Sequence, residues 1–448
     1  MEEQIRFLEG LGVDFADIRY FRNKTISVVS GEAKSYVDNN GVFEGYSIRV
    51  LRGGSFFYSV SSSLSKEALE GVASTPPAAG GSSFSLVKPR KDRVWIKERY
   101  PNDKKVEEVM RDVSKLKGDL LRLDDRIKSV NVRFSENEVH KSYMSTDGRD
   151  IEMEYKISSL YISAIAVEAG VKASAHSSLS TYLGYPFYAF NMEEEVNKLG
   201  KRIKNQLRGR PPKAGEAVVI LSPEVSGVFA HEALGHLAEA DLFIDGILGR
   251  MKGKRIAKEI VSVTDSPLSR DPMAIGITPY DDEGIEGREV KIIEKGVVKE
   301  AMNNRLYASV LGEEPTGNGR AESHQSTVLV RMRNTYFEPG DSSFEELIEG
   351  VKDGYLMNSV LGGQTSPDGT FQFGIEEGFK VENGEIKYPL RNVGIAGYTI
   401  ETLSQISGVS KDLSFWPGVC GKEGQRVFVG TGGPYLRVEK MKVGGLNG

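Results

Sequence analysis

The sequence predicts an α+β protein of two domains, the second built mostly from antiparallel sheet. With 448 residues the chain is longer than a single hydrophobic core usually organises. A segment rich in Pro and Gly, RGRPPKAG at 208–215, is typical of a linker and divides the chain into 1–210 and 211–448. The 50 glycines exceed average usage and indicate many turns between short strands.

The first domain is expected to combine long strands with amphipathic helices. Strands are predicted at 17–30, 41–51, 54–60 and, several together, within 127–183. Asn39-Asn40-Gly41 predicts the hairpin turn between the first two strands. Helices are predicted at 2–11, 64–74, 104–123 and 192–209. The Pro, Gly and Ser residues of 74–85 predict a loop.

The second domain is predicted to be poor in long helices. It opens with the apolar strand EAVVILS at 216–222, and Ser222-Pro223 then provides a helix N-cap and a proline at the first helical position. Most of the remaining sequence alternates in the manner of strands, with turns at Lys295-Gly296 and Asn383-Gly384. Further helices are predicted at 342–354 and 399–412.

Composition excludes several classes of protein. Lysine and arginine total 58 against 63 acidic residues, so the balanced charge argues against a nucleic-acid binder, and no direct nucleic-acid partner is expected. No run of about 18 apolar residues predicts a membrane span, and the start MEEQIRF lacks the features of a secretory signal. The single cysteine rules out an intrachain disulfide. These features predict a cytoplasmic protein.

The stretch HEALGH, from His231 to His236, concentrates candidate metal chemistry in a chain with only five histidines. The histidines are five positions apart, which places them about 140° apart around an ideal α-helix. A π-helical turn, with i→i+5 hydrogen bonds, would bring both onto one face. Gly235 is a residue that tolerates such a distortion. The alternative is two ordinary histidines on a half-buried helix.

A catalytic zinc ion usually takes three protein ligands, so a third is needed. The only cysteine, Cys420, lies in SFWPGVCGKEGQ, where Pro and Gly neighbours predict a tight loop. A lone cysteine is more often a small buried apolar residue than a ligand. Spacing alone leaves both alternatives open.

Seven blocks follow one another through 214–445: HEALGHLAEAD, TPYDDEGIEGRE, PTGNGRAES, RMRNTYFEPGD, LGGQ, PGVCGKEGQ and VGTGGPYLRVEKMKVGG. In this order they resemble the TldD/PmbA family, and in particular its TldD, metalloprotease-bearing branch. Residues 1–210 resemble it more loosely. The resemblance implies a TldD-like fold of two domains and a Zn²⁺ cofactor held by His231, His236 and Cys420, with one metal-bearing helix and Glu232 as catalytic base.

The leading hypothesis is therefore a zinc-dependent peptidase that hydrolyses short or unfolded peptides, with Glu232 assisting the attack of a zinc-bound water. One alternative is a zinc amide hydrolase with a non-peptide substrate. Another is a non-catalytic regulatory or interaction protein, because the family has also been described as a modulator of DNA gyrase. The resemblance further implies a TldE- or PmbA-like partner subunit, or a homodimer, enclosing the site.

Four charged residues are weaker site candidates. Glu239 and Asp241 follow HEALGH and could accept a hydrogen bond from a ligand imidazole, although a solvated acidic face would give the same pattern. Arg320 and Glu322 lie in GNGRAES and could line the cleft, or could form a structural ion pair. The glycine-rich GTGGP at 430–434 lacks the Lys-Ser/Thr ending of a phosphate-binding loop, so no nucleotide is expected.

Overall fold

The computed structural model describes residues 1–76, 81 and 84–445. Half of the loop predicted at 74–85 therefore lies outside the described residues. The chain is 22% helix and 46% strand, which confirms the α+β class. Within the described ranges, every helix is too short or too polar to cross a lipid bilayer.

One twisted sheet organises the first half of the chain. Its strands are β1 (Phe15–Ser30), β2 (Ser35–Arg52), β3 (Ser55–Ser61), β4 (Arg90–Trp95), β5 (Ile127–Ser145), β6 (Arg149–Glu168) and β7 (Val171–Thr181). They lie in the order β3-β2-β1-β5-β6-β4, with β7 also paired to β6. All of these pairings are antiparallel except that of β4 with β6.

Helices cover this sheet. Four of them confirm the predicted positions, and a fifth, of four residues at 186–189, was not predicted. They are α1 (Glu2–Gly10), α2 (Lys66–Ala73), α3 (Val106–Leu123), α4 (Pro186–Ala189) and α5 (Met192–Arg208). Helix α3 buries a stripe at helical spacing, from Val109 to Leu120, against β5 and β1. Helix α5 packs on β7 and also reaches strands of the second half, so it lies between the two parts of the chain.

The predicted hairpin turn at Asn39-Asn40-Gly41 is wrong. These residues lie inside β2 and pair with Thr25 to Ser27 of β1. The chain instead reverses at 31–34, where the amide of Gly31 donates to the carbonyl of Lys34. An Asn-Gly pair favours a two-residue turn, but the longer register of β1 with β2 pairs more backbone groups and prevails.

The second half contains two larger sheets. The strands are β8 (Gly215–Leu221), β9 (Val263–Ser266), β10 (Val290–Glu294), β11 (Val297–Val298), β12 (Gly319–Arg320), β13 (Leu329–Val330), β14 (Asn334–Phe337), β15 (Asp353–Thr365), β16 (Thr370–Glu382), β17 (Glu385–Leu390), β18 (Val393–Tyr398), β19 (Ile406–Val409), β20 (Ser414–Lys422), β21 (Gln425–Gly433) and β22 (Leu436–Gly445). Strands β15-β8-β22-β18-β16 form a closed ring, because β16 pairs again with β15. The other sheet has the order β11-β10-β9-β14-β21-β20, with β20 at its edge.

The second half has only short helices in the described ranges. They are α6 (Pro223–Val228), α7 (Ala240–Phe243), α8 (Arg305–Leu311), α9 (Phe344–Glu349) and α10 (Thr399–Ser404). The helices predicted at 342–354 and 399–412 exist but are shorter than expected. Residues 406–409 form β19 instead, because they pair with β22. Helix α6 and the turns after it lie between the ring and the second sheet, in one continuous apolar core.

Candidate metal centre

The HEALGH stretch continues helix α6 in a changed geometry. Ser222 caps the helix, since its hydroxyl accepts a hydrogen bond from the amide of Val225 at 3.3 Å, as the sequence predicts. The helix then widens into a π-helical segment, Phe229–Gly235, and tightens into a 3₁₀ turn, His236–Ala238. The amide of His236 donates to the carbonyl of His231, five residues earlier. The predicted π geometry is confirmed.

Gly235 was expected to tolerate the backbone distortion of the π-helical segment, but its role in the structure is different. Its φ of −58° and ψ of −48° are ordinary helical values that any residue adopts. A Cβ added at this position would instead lie 2.1 Å from the sulfur of Met332, which is fully buried. The glycine provides room for a neighbouring side chain rather than conformational freedom.

The helix carrying the histidines rests directly on β21. A Cβ at Gly227 would lie 2.9 Å from the backbone nitrogen of Gly432, and one at Gly433 would lie 2.2 Å from the hydroxyl oxygen of Ser226. The glycine run at 430–433 therefore allows close approach of helix and strand. This contact fixes the start of the histidine segment against the sheet that carries Cys420.

Cys420 lies in a strand, and the predicted tight loop around it is wrong. It belongs to β20 and pairs with Val427 of β21, while the turn follows at Glu423-Gly424, both with positive φ. Pro417 fits this assignment because β20 is an edge strand, where proline is tolerated. The cysteine side chain is buried, with 3% of the residue exposed.

The fold brings His231, His236 and Cys420 together. One potential ligand atom from each lies within 4.8 Å of the others. The sulfur of Cys420 is 3.6 Å from Nε2 of His236, and the two imidazole rings are 5.2 Å apart and nearly perpendicular. Nδ1 of His231 is buried without a hydrogen-bond partner among the described residues. Two imidazole nitrogens and one thiolate around a common point form a ligand set that suits zinc.

The electrostatics of the three groups also fit a metal. Burial raises the pKa of the Cys420 thiol, but the imidazoles of His231 and His236 lower it to about 4. Burial lowers the pKa of His236, while its contacts with Cys420 and Glu239 raise it to about 10. The arrangement thus favours the thiolate, which is the form of cysteine that binds metals. A bound cation would take the place of the protons held by the imidazoles.

Glu232 stands beside this cluster without being buried in it. Its Oε2 is 4.0 Å from Nε2 of His236, and 27% of its side chain is exposed. The carboxylate is therefore open to solvent and within reach of a small molecule held next to the histidine. This placement suits a base better than a structural acid.

The two weaker acidic candidates make different contacts. Glu239 is fully buried, and its Oε2 lies 3.2 Å from Nδ1 of His236, as expected of an acceptor behind a ligand imidazole. Asp241 contacts the ammonium group of Lys422 at 2.8 Å instead.

The sequence does not single out Lys422 as a residue of this site. A strand would place Lys422 on the same face as Cys420, but the sequence predicts a loop there, so this indication was missing.

Arg320 and Glu322 do not form an ion pair with each other among the described contacts. The buried Arg320 donates to the carbonyls of Met332 and Phe428 at 2.6 and 2.8 Å. The exposed Glu322 accepts from the amide of Arg426 at 3.0 Å. Both fix loops near the β20–β21 hairpin, and their role in lining a cleft stays a prediction.

Comparison with known protein families covers most of the chain. Residues 214–445 match the PmbA/TldA metallopeptidase C-terminal domain, and residues 99–210 match the central domain of the same family. The chain belongs to the PmbA/TldD family. The C-terminal match, 214–445, includes His231, His236 and Cys420.

Sequence relatives extend over the full length. A zinc metalloprotease TldD homolog from Saccharolobus solfataricus is 44% identical over 99% of this chain and 100% of its own length. A metalloprotease from Methanothermobacter thermautotrophicus is 34% identical over 97% of this chain and 96% of its own.

Solved structures show the same fold at lower identity. TldE from Thermococcus kodakarensis superimposes with a TM-score of 0.78 at 22% identity, covering 99% of this chain and 100% of that one. A candidate modulator of a DNA gyrase from Thermotoga maritima gives a TM-score of 0.79 at 22% identity, covering 99% and 98% of the two chains.

Proposed function

We propose that this chain is a zinc-dependent peptidase that hydrolyses short or unfolded peptides. The observation that carries the proposal is the convergence of His231, His236 and Cys420, whose ligand atoms lie within 4.8 Å of one another. The printed names of the sequence relatives, zinc metalloprotease and metalloprotease, support the same class of activity.

In this proposal the two imidazoles and the thiolate hold the metal, and Glu239 orients His236 from behind. When bound there, zinc would act as a Lewis acid that polarises the peptide carbonyl group and makes the attacking water more acidic. The orphaned Nδ1 of His231 and the thiolate character of Cys420 fit this ligand role.

Glu232 acts as the general base. Its partly exposed carboxylate, 4.0 Å from Nε2 of His236, is positioned to accept a proton from an attacking water. The same carboxyl group then returns the proton to the leaving amine. Peptide hydrolysis needs both transfers, and one carboxyl group can perform both in sequence.

The substitution Glu232→Gln tests this role. The amide has the same shape but cannot accept the proton, so kcat should fall by about 10²-fold or more while the metal content stays at the wild-type level. A peptide cleavage assay and metal analysis of the same sample measure the two quantities.

Glu313→Gln is a matched control, because that glutamate has a similar side-chain exposure of 26% and pairs with Lys252 rather than with a histidine. It should leave cleavage unchanged. Near-normal cleavage by Glu232→Gln would exclude Glu232 as the base.

We also propose that the chain works with a TldE-like subunit or with a second copy of itself. The likeness in fold to TldE supports a partner of this architecture. The native mass of the purified protein, alone and mixed with a TldE-like chain, distinguishes the two assemblies. We propose as well that the chain divides into domains at 1–210 and 211–448 and that it is cytoplasmic.

A further inference from the structure

Strand β20 presents two side chains to the segment that follows the histidine helix. Cys420 and Lys422 are two positions apart and therefore project from the same face of the strand. Cys420 lies against His236 with 3.6 Å between Sγ and Nε2. Lys422 lies beside Glu239 and Asp241, three and five residues after that histidine. Strand β20 therefore contacts the segment 236–241 at two points, through the thiol of Cys420 and through the ammonium group of Lys422.

The ammonium group of Lys422 donates hydrogen bonds to three acceptors. It donates to Oε2 of Glu239 at 2.9 Å, to Asp241 at 2.8 Å and to the carbonyl of Val330 at 3.1 Å. Its side chain is 10% exposed. Three acceptors from two segments, 239–241 and the strand that carries Val330, fix the position of this group.

Glu239 links this ammonium group to the imidazole of His236. Its carboxylate is fully buried, with Oε2 shared between Lys422 and Nδ1 of His236 and Oε1 accepting from the amide of Met332 at 3.3 Å. A buried carboxylate is costly unless it is paired, and Lys422 is the cation that pairs it when His236 is neutral, the form in which an imidazole binds a metal. A carboxylate so held accepts the Nδ1 proton of His236 and leaves Nε2 free to face Cys420.

We propose that Lys422 is a positioning residue of the metal site. It holds Glu239 against His236 and ties the strand that carries Cys420 to the segment that carries His236. Two of the three ligand atoms are thereby set at their separation before a metal arrives. The inference rests on the metal ligands assigned under the proposed function.

The test compares metal affinity in full-length variants. Co²⁺ is the probe, because a cobalt–thiolate bond has a charge-transfer absorption that reports Cys420 directly. Lys422→Met keeps the length of the side chain and removes its charge, and should weaken Co²⁺ binding about 10- to 100-fold in competition with a chelator. The visible bands of the remaining complex should also shift, since His236 loses its fixed orientation.

A double-variant comparison separates positioning from general destabilisation. Because Lys422 acts through Glu239, the pair Glu239→Gln/Lys422→Met should bind Co²⁺ within about twofold of Glu239→Gln alone. If Lys422→Met does not fold, this pair, which leaves no unpaired buried carboxylate, is compared with the wild type and should show the same 10- to 100-fold weakening.

Lys104→Met is the control, since Lys104 also pairs with an acid, Asp112, at 2.7 Å but within the first half of the chain. It should bind Co²⁺ as the wild type does.

Each outcome has a separate meaning. Wild-type affinity and unchanged absorption in Lys422→Met, or in the double variant, would overturn the positioning role while leaving the three ligands in place. Additive losses from the two substitutions would also contradict it, because Lys422 would then act independently of Glu239. Absence of a thiolate absorption in the wild type would instead contradict the proposed metal site itself.

Discussion

Cys420 is held by contacts to two parts of the residue. Two imidazoles lie beside its sulfur, and a buried arginine binds its backbone carbonyl. Burial raises the pKa of its thiol, and His231 and His236 outweigh that effect. The carbonyl of Cys420 accepts a hydrogen bond of 2.6 Å from the fully buried Arg331, which also fixes the adjacent hairpin. The residue is therefore held both through its side chain and through its backbone.

At this scale the sequence identifies some residues and misses others. His231, Glu232 and His236 are recognisable because they are close together in the chain. Cys420 is recognisable as a candidate ligand only through the family resemblance, because 184 positions separate it from His236. Lys422 was not predicted, since no local pattern reveals that a lysine will meet Glu239 across two segments.

The element that carries the histidines depends on close packing at two glycines. Gly227 approaches β21, and Gly235 approaches Met332. Local sequence predicts the helix from its apolar spacing, the cap from Ser222-Pro223 and the π turn from the spacing of the histidines. It gives the wrong reason for Gly235, since the neighbour that occupies the space is distant in sequence.

Gly235→Ala tests this packing. The added methyl group meets the sulfur of the buried Met332, so the free energy of unfolding should fall by about 1–3 kcal/mol. Urea unfolding of the variant and the wild type measures the change.

Gly71→Ala provides the comparison within a helix. A Cβ at Gly71 in α2 has no atom within 4 Å, so that substitution should be neutral or stabilising by about 0.5–1 kcal/mol. Equal stability of the Gly235→Ala variant and the wild type would show that the segment has more room than the structure assigns it.

At the scale of the whole molecule, buried charges join the two halves. Lys141 of β5 donates to Asp282 at 2.8 Å, and Arg49 of β2 pairs with Glu283. The sequence block DDEG was recognisable only as part of a family pattern. Its partners lie more than 100 positions away, so composition could not reveal that these acids are buried against the first half of the chain.

Removing one member of this interface should destabilise the chain strongly. Lys141→Met leaves Asp282 buried without its cation, and the free energy of unfolding should fall by about 3–5 kcal/mol. Proteolysis within 208–215 should become faster if the halves separate there, as the proposed domain boundary requires. Urea unfolding and timed proteolysis provide the two measurements.

The pair Lys141→Met/Asp282→Asn should recover part of the stability, because the neutral amide oxygen can still accept the amide proton of Ala321. If Lys141→Met unfolded at the same urea concentration as the wild type, the interface would contribute little.

The three-ligand metal site is best tested by measuring the zinc content per chain of the wild type and of Cys420→Ser after equal exposure to zinc. We expect about one zinc per chain in the wild type and a large loss in the variant, because the thiolate is one of three protein ligands. Equal zinc in both proteins would remove Cys420 from the ligand set. No zinc in either protein would contradict the metal site and, with it, the proposed peptidase.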